Sequence, residues 1–556
     1  MSRILYALVA ILGLTALVEI CGSCSLIRDH IRSEANQALV ESYNQPQRSQ
    51  NDAAAPPPVF APLPPSAAPA PAPEPQAITA AGFGLGLGTD NVDLRASDAI
   101  ARNVLNFANS LGQHLSTTYR KTEVFSPLSV MSALALLLAG SNGKSYEQLS
   151  QVFGLNDQEL QSNSTKLHEQ FGLLLKDVQQ PTLEMVSPQR RLDPWRYTKA
   201  GNMRSNRRSA NRPSGHAIHL ANGLFTQLGY TLNPDYRNVI TNIYRSELQP
   251  LDFQTKPAQS RLIINDWVEQ KTLGKIPNII ASEVSQATRV IMANALYFKG
   301  FWEQDFIDSA TKLDNFYPNG ESEAPVRVQL MGTGGTFPYY EDPQLNCRII
   351  GMPYRGNLST MYVIQPHQST ASRLQQLQQN LNADRIEEMI SKMTRRSALL
   401  AFPKMHIVES INMKELLRRM GISSIFSELE SDLSLIAEPA SRPGQSDGTD
   451  RPFVFSPRSS FGKSADSLQN LDDQRSVTRQ NSVRQSNMFV DEIVHKVDFE
   501  VNEQGTEAAA ATITYLNKSG PDVLFRADAP FILLLRHDAT KLVLFYGIIN
   551  EPPVSK

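Results

Sequence analysis

Histidine and cysteine are the residues with the most direct means of doing chemistry in this chain of 556 residues. The nine histidines and three cysteines are scattered, and their spacing matches no zinc-ligand pattern. His216 and His219 would point to opposite faces of a strand. The sequence has no phosphate-binding loop, dinucleotide glycine fingerprint, His-Glu-x-x-His or Gly-x-Ser-x-Gly motif. This pattern predicts a protein that is not an enzyme and that holds no metal and no cofactor.

Four polar side chains interrupt strongly apolar runs: Ser126, Ser129, Asn294 and His495. Buried polar groups need hydrogen-bond partners. The four side chains therefore either form one shared network or each find a partner locally.

The segment from Val501 to Pro521, VNEQGTEAAAATITYLNKSGP, has an unusual composition. It has no large apolar side chain between Gln504 and Ile513, although strand-like segments lie on both sides of it. Its four successive alanines favour a helix, whereas the β-branched residues that follow favour a strand. Local propensity therefore leaves its conformation undecided.

Apolar spacing and capping residues place most helices early in the chain and most strands late. Helices are predicted at 98–115, from the N-cap Ser126 and Pro127 onwards, and at 411–426. Strands are predicted at 216–227, 287–302 and 398–411, and as a pair around a turn at 537–540. This order predicts an α+β fold.

The N-terminal part of the chain is predicted to lie outside the folded domain. Residues 1–23 combine Arg3 with an apolar run and then small residues, which is the pattern of a cleaved secretory signal peptide. An uncleaved membrane anchor is the alternative, but the run is short for a membrane span. Residues 24–92 are rich in proline and alanine, which favours an extended linker. We therefore expect a secreted protein whose ordered domain covers 93–556.

Composition also constrains the ordered domain. Cys21 and Cys24 lie in or beside the signal segment, so Cys347 is the one cysteine certain to remain, and a disulfide framework is not expected. A single large domain with its own core is therefore predicted. Two segments have the composition of disordered insertions, at about 187–215 and 437–487. The net charge of −2 favours neither nucleic acid nor an acidic membrane as a partner.

Five stretches, in order, together resemble the serpin family of serine protease inhibitors. They are FSPLSV (125–130), NALYFKGFWEQDF (294–306), FPKMHI (402–407), IVHKVDFEVNEQGTEAAAATI (493–513) and APFILLLRH (529–537). The resemblance covers about 93–552 apart from the two insertions. It implies a large central mixed β-sheet with smaller sheets, packed helices and an exposed reactive loop, in a protein that is expected to be a monomer without a cofactor.

The resemblance also assigns roles to particular residues. It places Ser126, Ser129, Asn294 and His495 behind the central strands, where the sheet must part. It places Gly300, Trp302 and Lys404 at the upper end of that opening, where Lys404 either pairs with Glu503 or leaves it as an unpaired surface charge. The reactive-loop hinge implied by the family pattern comprises Glu503, Gly505, Thr506, Glu507, Ala508, Ala509, Ala510 and Ala511.

Strand geometry supports the composition of this hinge. When a loop enters a packed sheet as a new strand, the residues on the packed face must be small and uncharged. Thr506, Ala508, Ala510 and Thr512 meet that requirement on one face, and Gly505 allows the bend.

The reactive bond is left between two positions. The family spacing from Gly505 indicates cleavage between Ser519 and Gly520, by a protease that prefers small residues. A trypsin-like protease would instead need the cation of Lys518 and would cleave Lys518–Ser519.

Two kinds of surface site remain as hypotheses. The cations Arg190, Arg191, Arg196, Arg204, Arg207 and Arg208 of the first insertion would bind a glycosaminoglycan, or the segment is a solvated loop or a processing site at Arg190–Arg191. The glycosylation sequons begin at Asn163, Asn357 and Asn517, the last of them beside the reactive bond.

The function expected from these features is secreted inhibition of a serine protease by a suicide substrate. The loop would be cleaved, the acyl-enzyme trapped covalently and the loop inserted into the central sheet. The alternative is a binding or carrier protein on the same scaffold that does not inhibit.

Overall fold

A computed structural model describes the ordered part of the chain, namely residues 92–116, 122–155, 160, 164–197, 216–439, 464–480, 488–506 and 520–553. All of them belong to one compact unit, Phe83–Lys556. The predicted signal peptide and all but the last residue of the predicted linker lie outside the described residues.

Ten α-helices lie within the described residues. They are α1 (Leu94–Ser116), α2 (Pro127–Gly140), α3 (Gly143–Val152), α4 (Ser164–Val178), α5 (Pro234–Asn242), α6 (Pro257–Lys271), α7 (Ala371–Asn380), α8 (Ala383–Lys392), α9 (Met413–Arg419) and α10 (Ser464–Gln480). Helix α2 begins as the sequence predicts, because the Ser126 side chain accepts a hydrogen bond from the Ser129 backbone and Pro127 takes the first helical position. Every residue of α2 is buried, so this helix forms the centre of the fold.

The strands within the described residues form two large sheets and one small one. The nine-stranded sheet contains β1 (Thr122–Phe125), β6 (Ile307–Phe316), β7 (Val326–Asp342), β8 (Cys347–Pro353), β9 (Ser359–Pro366), β10 (Thr394–Pro403), β15 (Val523–Arg526), β16 (Phe531–His537) and β17 (Leu542–Ile549). The six-stranded sheet contains β2 (Ala217–Gln227), β4 (Glu247–Leu251), β5 (Val290–Phe301), β11 (Met405–Asn412), β13 (Val490–Val501) and β14 (Gly505–Thr506). The two-stranded sheet pairs β3 (Tyr230–Leu232) with β12 (Ala437–Pro439).

The six-stranded sheet is mixed and lies between two apolar layers. Its order is β11-β13-β5-β2-β4, with β13 parallel to β5 and β2 antiparallel to β5. Alternate residues of β5, such as Met292 and Leu296, join the main core on one face, while Ile291 and Ala293 join a second core that includes residues of α6. The predicted α+β class, with a large mixed sheet and smaller sheets, is confirmed.

Two predicted elements are shorter in the structure. The predicted strand at 398–411 is two strands that belong to different sheets, β10 and β11, and the chain changes sheet at Lys404. The predicted helix at 411–426 stops at Arg419, because Gly421 adopts φ 91 and ends it, and a short 3₁₀ turn follows at 424–426.

The prediction of disordered insertions is wrong for two described segments. Residues 187–197 lie on the core, with Trp195 fully buried. Residues 464–480 form α10, whose Leu468 and Leu471 join the main core. The composition is polar because the buried side of each segment is held largely by hydrogen bonds and ion pairs. Residues 198–215, 440–463 and 481–487 lie outside the described part of the chain.

Neither a membrane-spanning helix nor a metal site is found in the described residues. No described helix is long and apolar enough to cross a membrane. No group of three or more metal-binding side chains is found in the same residues. Cys347 is a buried free thiol whose pKa is raised to about 12 by burial, so it is unsuited to nucleophilic chemistry.

Candidate functional site at the seam of the six-stranded sheet

The parallel pair of β5 and β13 separates at its upper end. The two strands pair from Val290 and Val490 as far as Leu296 and Val497. Beyond that level β5 continues to Phe301 and β13 to Val501, and the two strands are no longer paired with each other. We call the line between these two strands the seam. A strand that entered the six-stranded sheet here would have neighbours on both sides.

A buried hydrogen-bond network crosses the seam at the level of Asn294. The backbone N–H of Ser126 donates to His495 Nε2 over 2.9 Å, so Nδ1 carries the proton and donates to Asn294 Oδ1 over 2.7 Å. Ser129 Oγ also donates to Asn294 Oδ1, and Asn294 Nδ2 donates to Asn222 Oδ1 over 2.6 Å. The structure therefore brings the four predicted polar residues together and adds Asn222 as a fifth.

Burial fixes the charge of this network. His495 is fully buried, and burial lowers its pKa to about 3. The ring is therefore neutral at physiological pH and can accept one hydrogen bond while it donates another. His495 and Ser129 both donate to Asn294 Oδ1. Moving β5 away from β13 must therefore break or exchange these hydrogen bonds.

The hinge folds back at the top of the seam. Asn502 and Gly505 exchange backbone hydrogen bonds in a tight turn, and β14 then pairs antiparallel with the end of β5, Gly505 opposite Phe301 and Thr506 opposite Gly300. Gly505 and Thr506 of the hinge therefore already occupy the position of a strand between β5 and β13.

Trp302 holds this turn in place. Its indole N–H donates to Asn502 O over 3.0 Å, and its backbone N–H donates to Gln504 O over 3.0 Å. The indole is 1% exposed and stacks on Tyr354 with ring centroids 4.3 Å apart. The packing of Trp302 thus fixes where the chain leaves β13 and enters β14.

Two glycines are required where β14 approaches β5. Gly505 has φ 148, and a β-carbon there would lie 2.0 Å from Gly300 O. At Gly300 a β-carbon would lie 2.7 Å from the ring of Tyr354. A side chain at Gly505 would therefore push the two strands apart, and one at Gly300 would collide with the Tyr354 ring.

Glu503 and Lys404 form the ion pair that was one of the two alternatives. Their charged atoms are 2.9 Å apart, and Thr311 Oγ1 donates to the same carboxylate over 2.9 Å. Burial raises the pKa of Glu503, but the hydrogen bonds from Lys404 and Thr311 outweigh burial, so its pKa lies below the usual value. The pair fastens the turn to the point where β10 gives way to β11.

Several predicted site residues lie outside the described part of the chain: Glu507, Ala508, Ala509, Ala510, Ala511, Lys518, Ser519, Asn163 and Asn517. The backbone of Thr506 is described but its side chain is not. Gly520 is described and exposed, with φ 79, and leads into β15.

The structure corrects the predicted cation cluster at two positions. Arg190 forms an ion pair with Asp177 over 2.9 Å, and Arg196 forms one with Asp538. Both arginine side chains are only 4% exposed. They anchor the segment to the core and do not present charge to a polyanion. Arg191 is exposed, while Arg204, Arg207 and Arg208 lie outside the described residues.

The sequon at Asn357 is partly covered by the same segment. The side chain of Asn357 is exposed at a turn with φ 59, but its Oδ1 accepts a hydrogen bond from Arg196 Nη1 over 3.1 Å. Ser359 of this sequon is fully buried and contacts His216 Nδ1.

Sequence reasoning missed Asn222, Thr311 and Tyr354 as parts of the site. Asn222 carried the signal that found Asn294, since it is also a polar residue within an apolar strand. Thr311 and Tyr354 carried no such signal, because their role depends on contacts with distant parts of the chain.

Comparison with known proteins assigns this arrangement to a class. The family model described as "Serpin (serine protease inhibitor)" matches residues 102–552. Serine protease inhibitor 28Dc of Drosophila melanogaster is 58% identical over 466 residues, which are 84% of this chain and 81% of that protein. The human leukocyte elastase inhibitor is 27% identical over 454 residues, which are 80% of this chain and 97% of that protein.

Solved structures agree on the fold. Uncleaved ovalbumin matches with a TM-score of 0.59 at 23% identity, over 82% of this chain and the whole of that chain. Mouse protein-Z dependent protease inhibitor matches with a TM-score of 0.60 at 23% identity, over 83% of this chain and 99% of that chain.

The chain belongs to the serpin family, which confirms the resemblance seen in the sequence. Relatives named as inhibitors of serine protease and of leukocyte elastase support protease inhibition as its general function.

Proposed function

We propose that this chain is a secreted inhibitor of serine proteases that acts as a suicide substrate. The protease serine attacks a backbone carbonyl of the loop between Thr506 and Gly520. An ester forms, and the downstream fragment leaves with a new amino terminus. The upstream part of the loop then enters the seam as a strand and carries the protease with it before water hydrolyses the ester.

The pairing of β14 with β5 is the observation that carries this proposal. It is antiparallel and begins at the upper end of the seam. If the register continues one residue for one residue, Ala510 lies opposite Leu296, Thr512 opposite Asn294, and Leu516 opposite Val290, the first residue of β5. The whole length of β5 is then matched by loop residues.

The faces of the extended strand fit the two cores. Residues of the loop opposite Phe298 and Leu296 would enter the main core, and those are Ala508 and Ala510. Residues opposite Ala295 and Ala293 would enter the second core beside α6, and those are Ala511 and Ile513. In this register, the side chains that enter a packed core are therefore small or uncharged.

The length of the inserted strand explains why a trapped protease would be displaced. The strand from Gly505 to Leu516, which would lie opposite Phe301 to Val290, has eleven residue-to-residue steps and spans about 36 Å. Both candidate bonds, Lys518–Ser519 and Ser519–Gly520, lie just beyond Leu516. A protease attached at either position would therefore be carried past the lower end of β5.

The target class depends on which bond is cut. Cleavage after Lys518 implies a trypsin-like protease with an acidic specificity pocket, and cleavage after Ser519 implies one that prefers small residues. We expect the inhibitor to be a monomer. A sulfated polysaccharide would have to bind through Arg191, Arg204, Arg207 and Arg208.

The test is incubation of the purified protein with trypsin-like and elastase-like proteases. We expect an SDS-resistant complex and a released C-terminal peptide that begins at Ser519 or at Gly520, as read by mass spectrometry. A protease whose active-site serine has been blocked is the control and should give neither product. Clean cleavage without a complex across a broad panel would exclude inhibition and favour a non-inhibitory binding protein.

A further inference from the structure

Helix α10 packs on α5 through a row of polar contacts. Asn470 and Gln474, one turn apart, donate from their amides to the carboxylate of Asp235 over 3.3 and 3.4 Å. Asn238 Nδ2 donates to Ser467 Oγ over 2.8 Å. These contacts attach α10 along the first two turns of α5.

Helix α10 also donates hydrogen bonds to the C-terminal end of α2. Arg475 Nε donates to Ser141 O over 3.1 Å, and Nη2 donates to Ala139 O over 3.2 Å. These carbonyl groups have no partner within α2 itself, and a cation beside them is favourable because the C-terminus of a helix is the negative end of its dipole. The Arg475 side chain is 6% exposed and pairs with Asp472.

Asp472 extends the attachment to α4. Its two carboxylate oxygens accept hydrogen bonds from Ser164 and Thr165, the first residues of α4, each over 2.8 Å. Leu468 and Leu471 are buried below the polar contacts. Helix α10 therefore holds α2, α4 and α5 together at one point.

Of these helices, α5 must follow one half of the divided sheet. It lies in the connection between the parallel strands β2 and β4, directly after β3 and the single residue Asn233, and a short turn joins it to β4. Strand β2 is paired with β5 along ten residues, Ala217–Thr226. If β5 moves away from β13, then β2, β4 and α5 move with it.

In contrast, α2 is fixed to the other half. It follows β1 after the single residue Ser126, and β1 is paired with β17. Phe125 stacks on Tyr546 of β17 with ring centroids 5.5 Å apart. Phe499 of β13, the seam strand opposite β5, packs on Phe545 of the same strand β17 with ring centroids 5.1 Å apart. Strand β17 thus holds α2 and β13 as one body.

Opening the seam must therefore displace α5 relative to α2. A new strand lies about 4.8 Å from each of its neighbours, so β5 and β13 must move apart by about a further 4.8 Å, which is more than the length of any contact that α10 makes. Helix α10 binds both α2 and α5, so these contacts cannot all survive the movement.

We propose that α10 is a brace across the opening sheet, which sets the rate at which the seam admits a strand. This inference rests on the proposed insertion of the loop and adds its regulation. The brace lies in the second polar segment of the sequence, outside the strands of the two large sheets.

The test measures entry of a strand without a protease. A synthetic peptide of residues 506–516, TEAAAATITYL, is added in excess to the full-length protein, and the rate of complex formation is followed on native gels. The variant Asn470→Ala with Gln474→Ala removes two contacts to α5 and should take up the peptide about 25-fold faster, since each hydrogen bond corresponds to about fivefold. The matched control, Gln469→Ala with Asp473→Ala, changes an exposed pair with the same spacing on α10 and should leave the rate unchanged.

General destabilisation is separated from bracing by two further variants. Ile349→Ala creates a cavity in the nine-stranded sheet, and should lower the midpoint of heat unfolding without changing peptide uptake. Ser467→Ala removes only the contact to Asn238 and should also speed peptide uptake, by a smaller factor than the double variant. It replaces the double variant in the test if that variant does not fold.

The outcomes distinguish this inference from the proposed function. Equal uptake by the Asn470→Ala/Gln474→Ala variant and its control would overturn the brace, and the wild-type protein would still trap proteases. Peptide uptake without an SDS-resistant complex for any protease would overturn the proposed function and leave the brace standing. Faster uptake by Ile349→Ala, in proportion to its loss of stability, would also overturn the brace.

Discussion

Two neighbouring alanines of the loop give the sharpest test of the proposed strand register. By that register Ala510 would face the main core opposite Leu296, and Ala509 would face the other side of the sheet opposite Tyr297. Leu296 is fully buried, whereas Tyr297 lies near the carboxylate of Asp498. The same change, alanine to arginine, should therefore have different consequences at adjacent positions.

The expected magnitude follows from the cost of a buried charge. Ala510→Arg would place an unpaired cation in the main core, which costs about 3–5 kcal/mol. If the transition state of insertion feels half of that cost, insertion slows by about tenfold or more. Ala509→Arg would place its cation beside Asp498, so little change is expected. Hydrolysis of the ester would overtake insertion only in the Ala510→Arg variant.

The assay is a comparison on SDS gels with a protease that the wild-type protein traps. We expect Ala510→Arg to be cleaved with little stable complex, and Ala509→Arg to form complex as the wild type does. Heat unfolding of the uncleaved proteins checks that all three share the native fold. If Ala510→Arg traps the protease as completely as Ala509→Arg, the register extrapolated from β14 is wrong.

Three other changes act on described parts of the site. Gly505→Val would place a side chain against Gly300 O and should release β14 from β5, which limited proteolysis of the hinge would detect as faster cleavage; an unchanged rate would contradict the requirement for glycine. Lys404→Ala should cost about 1 kcal/mol of unfolding free energy at pH 7, because the ion pair with Glu503 is partly exposed. This cost should vanish as the pH falls through the lowered pKa of Glu503. Urea unfolding at pH 7 and below that pKa measures the difference, and a cost that does not depend on pH would contradict it. Burial lowers the pKa of His495 to about 3, so its contribution to stability is present above pH 6.5 and is lost as the pH falls towards 3, by up to about 1.4 kcal/mol per pH unit. His495→Gln should flatten this dependence of unfolding free energy on pH, and an unchanged slope would show that other groups cause it.

Much of the fold could be predicted because local and global signals agree. The N-cap Ser126 with Pro127 marks the start of α2, and the apolar run after it has no polar face, as a central helix requires. Strands β2 and β5 were found nearly at their true ends. The boundary between β10 and β11 was missed because alternation continues through Lys404, although the chain changes sheet there.

The site was predicted as far as residue type decides it. A histidine or asparagine within an apolar strand must find a partner, so the network at Asn294 could be anticipated. The buried state of Arg190 and Arg196 could not, because it depends on Asp177 and Asp538, and Asp538 is more than 300 residues from Arg196. Helix α10 was missed for the same reason, since its polar residues pair with other helices and leave a weak apolar pattern.

The network at Asn294 also indicates how insertion could proceed without stranding a buried polar group. In the native seam Asn294 Oδ1 accepts from both Ser129 and His495, and His495 Nδ1 has no other partner in the network. A new strand would separate His495 from Asn294. By the register of β14, the residue that arrives between them on the core side is Thr512, whose hydroxyl can both accept and donate. Under the proposed insertion, the need for small side chains would account for the alanines of the loop, and this exchange would account for the hydroxyl that follows them.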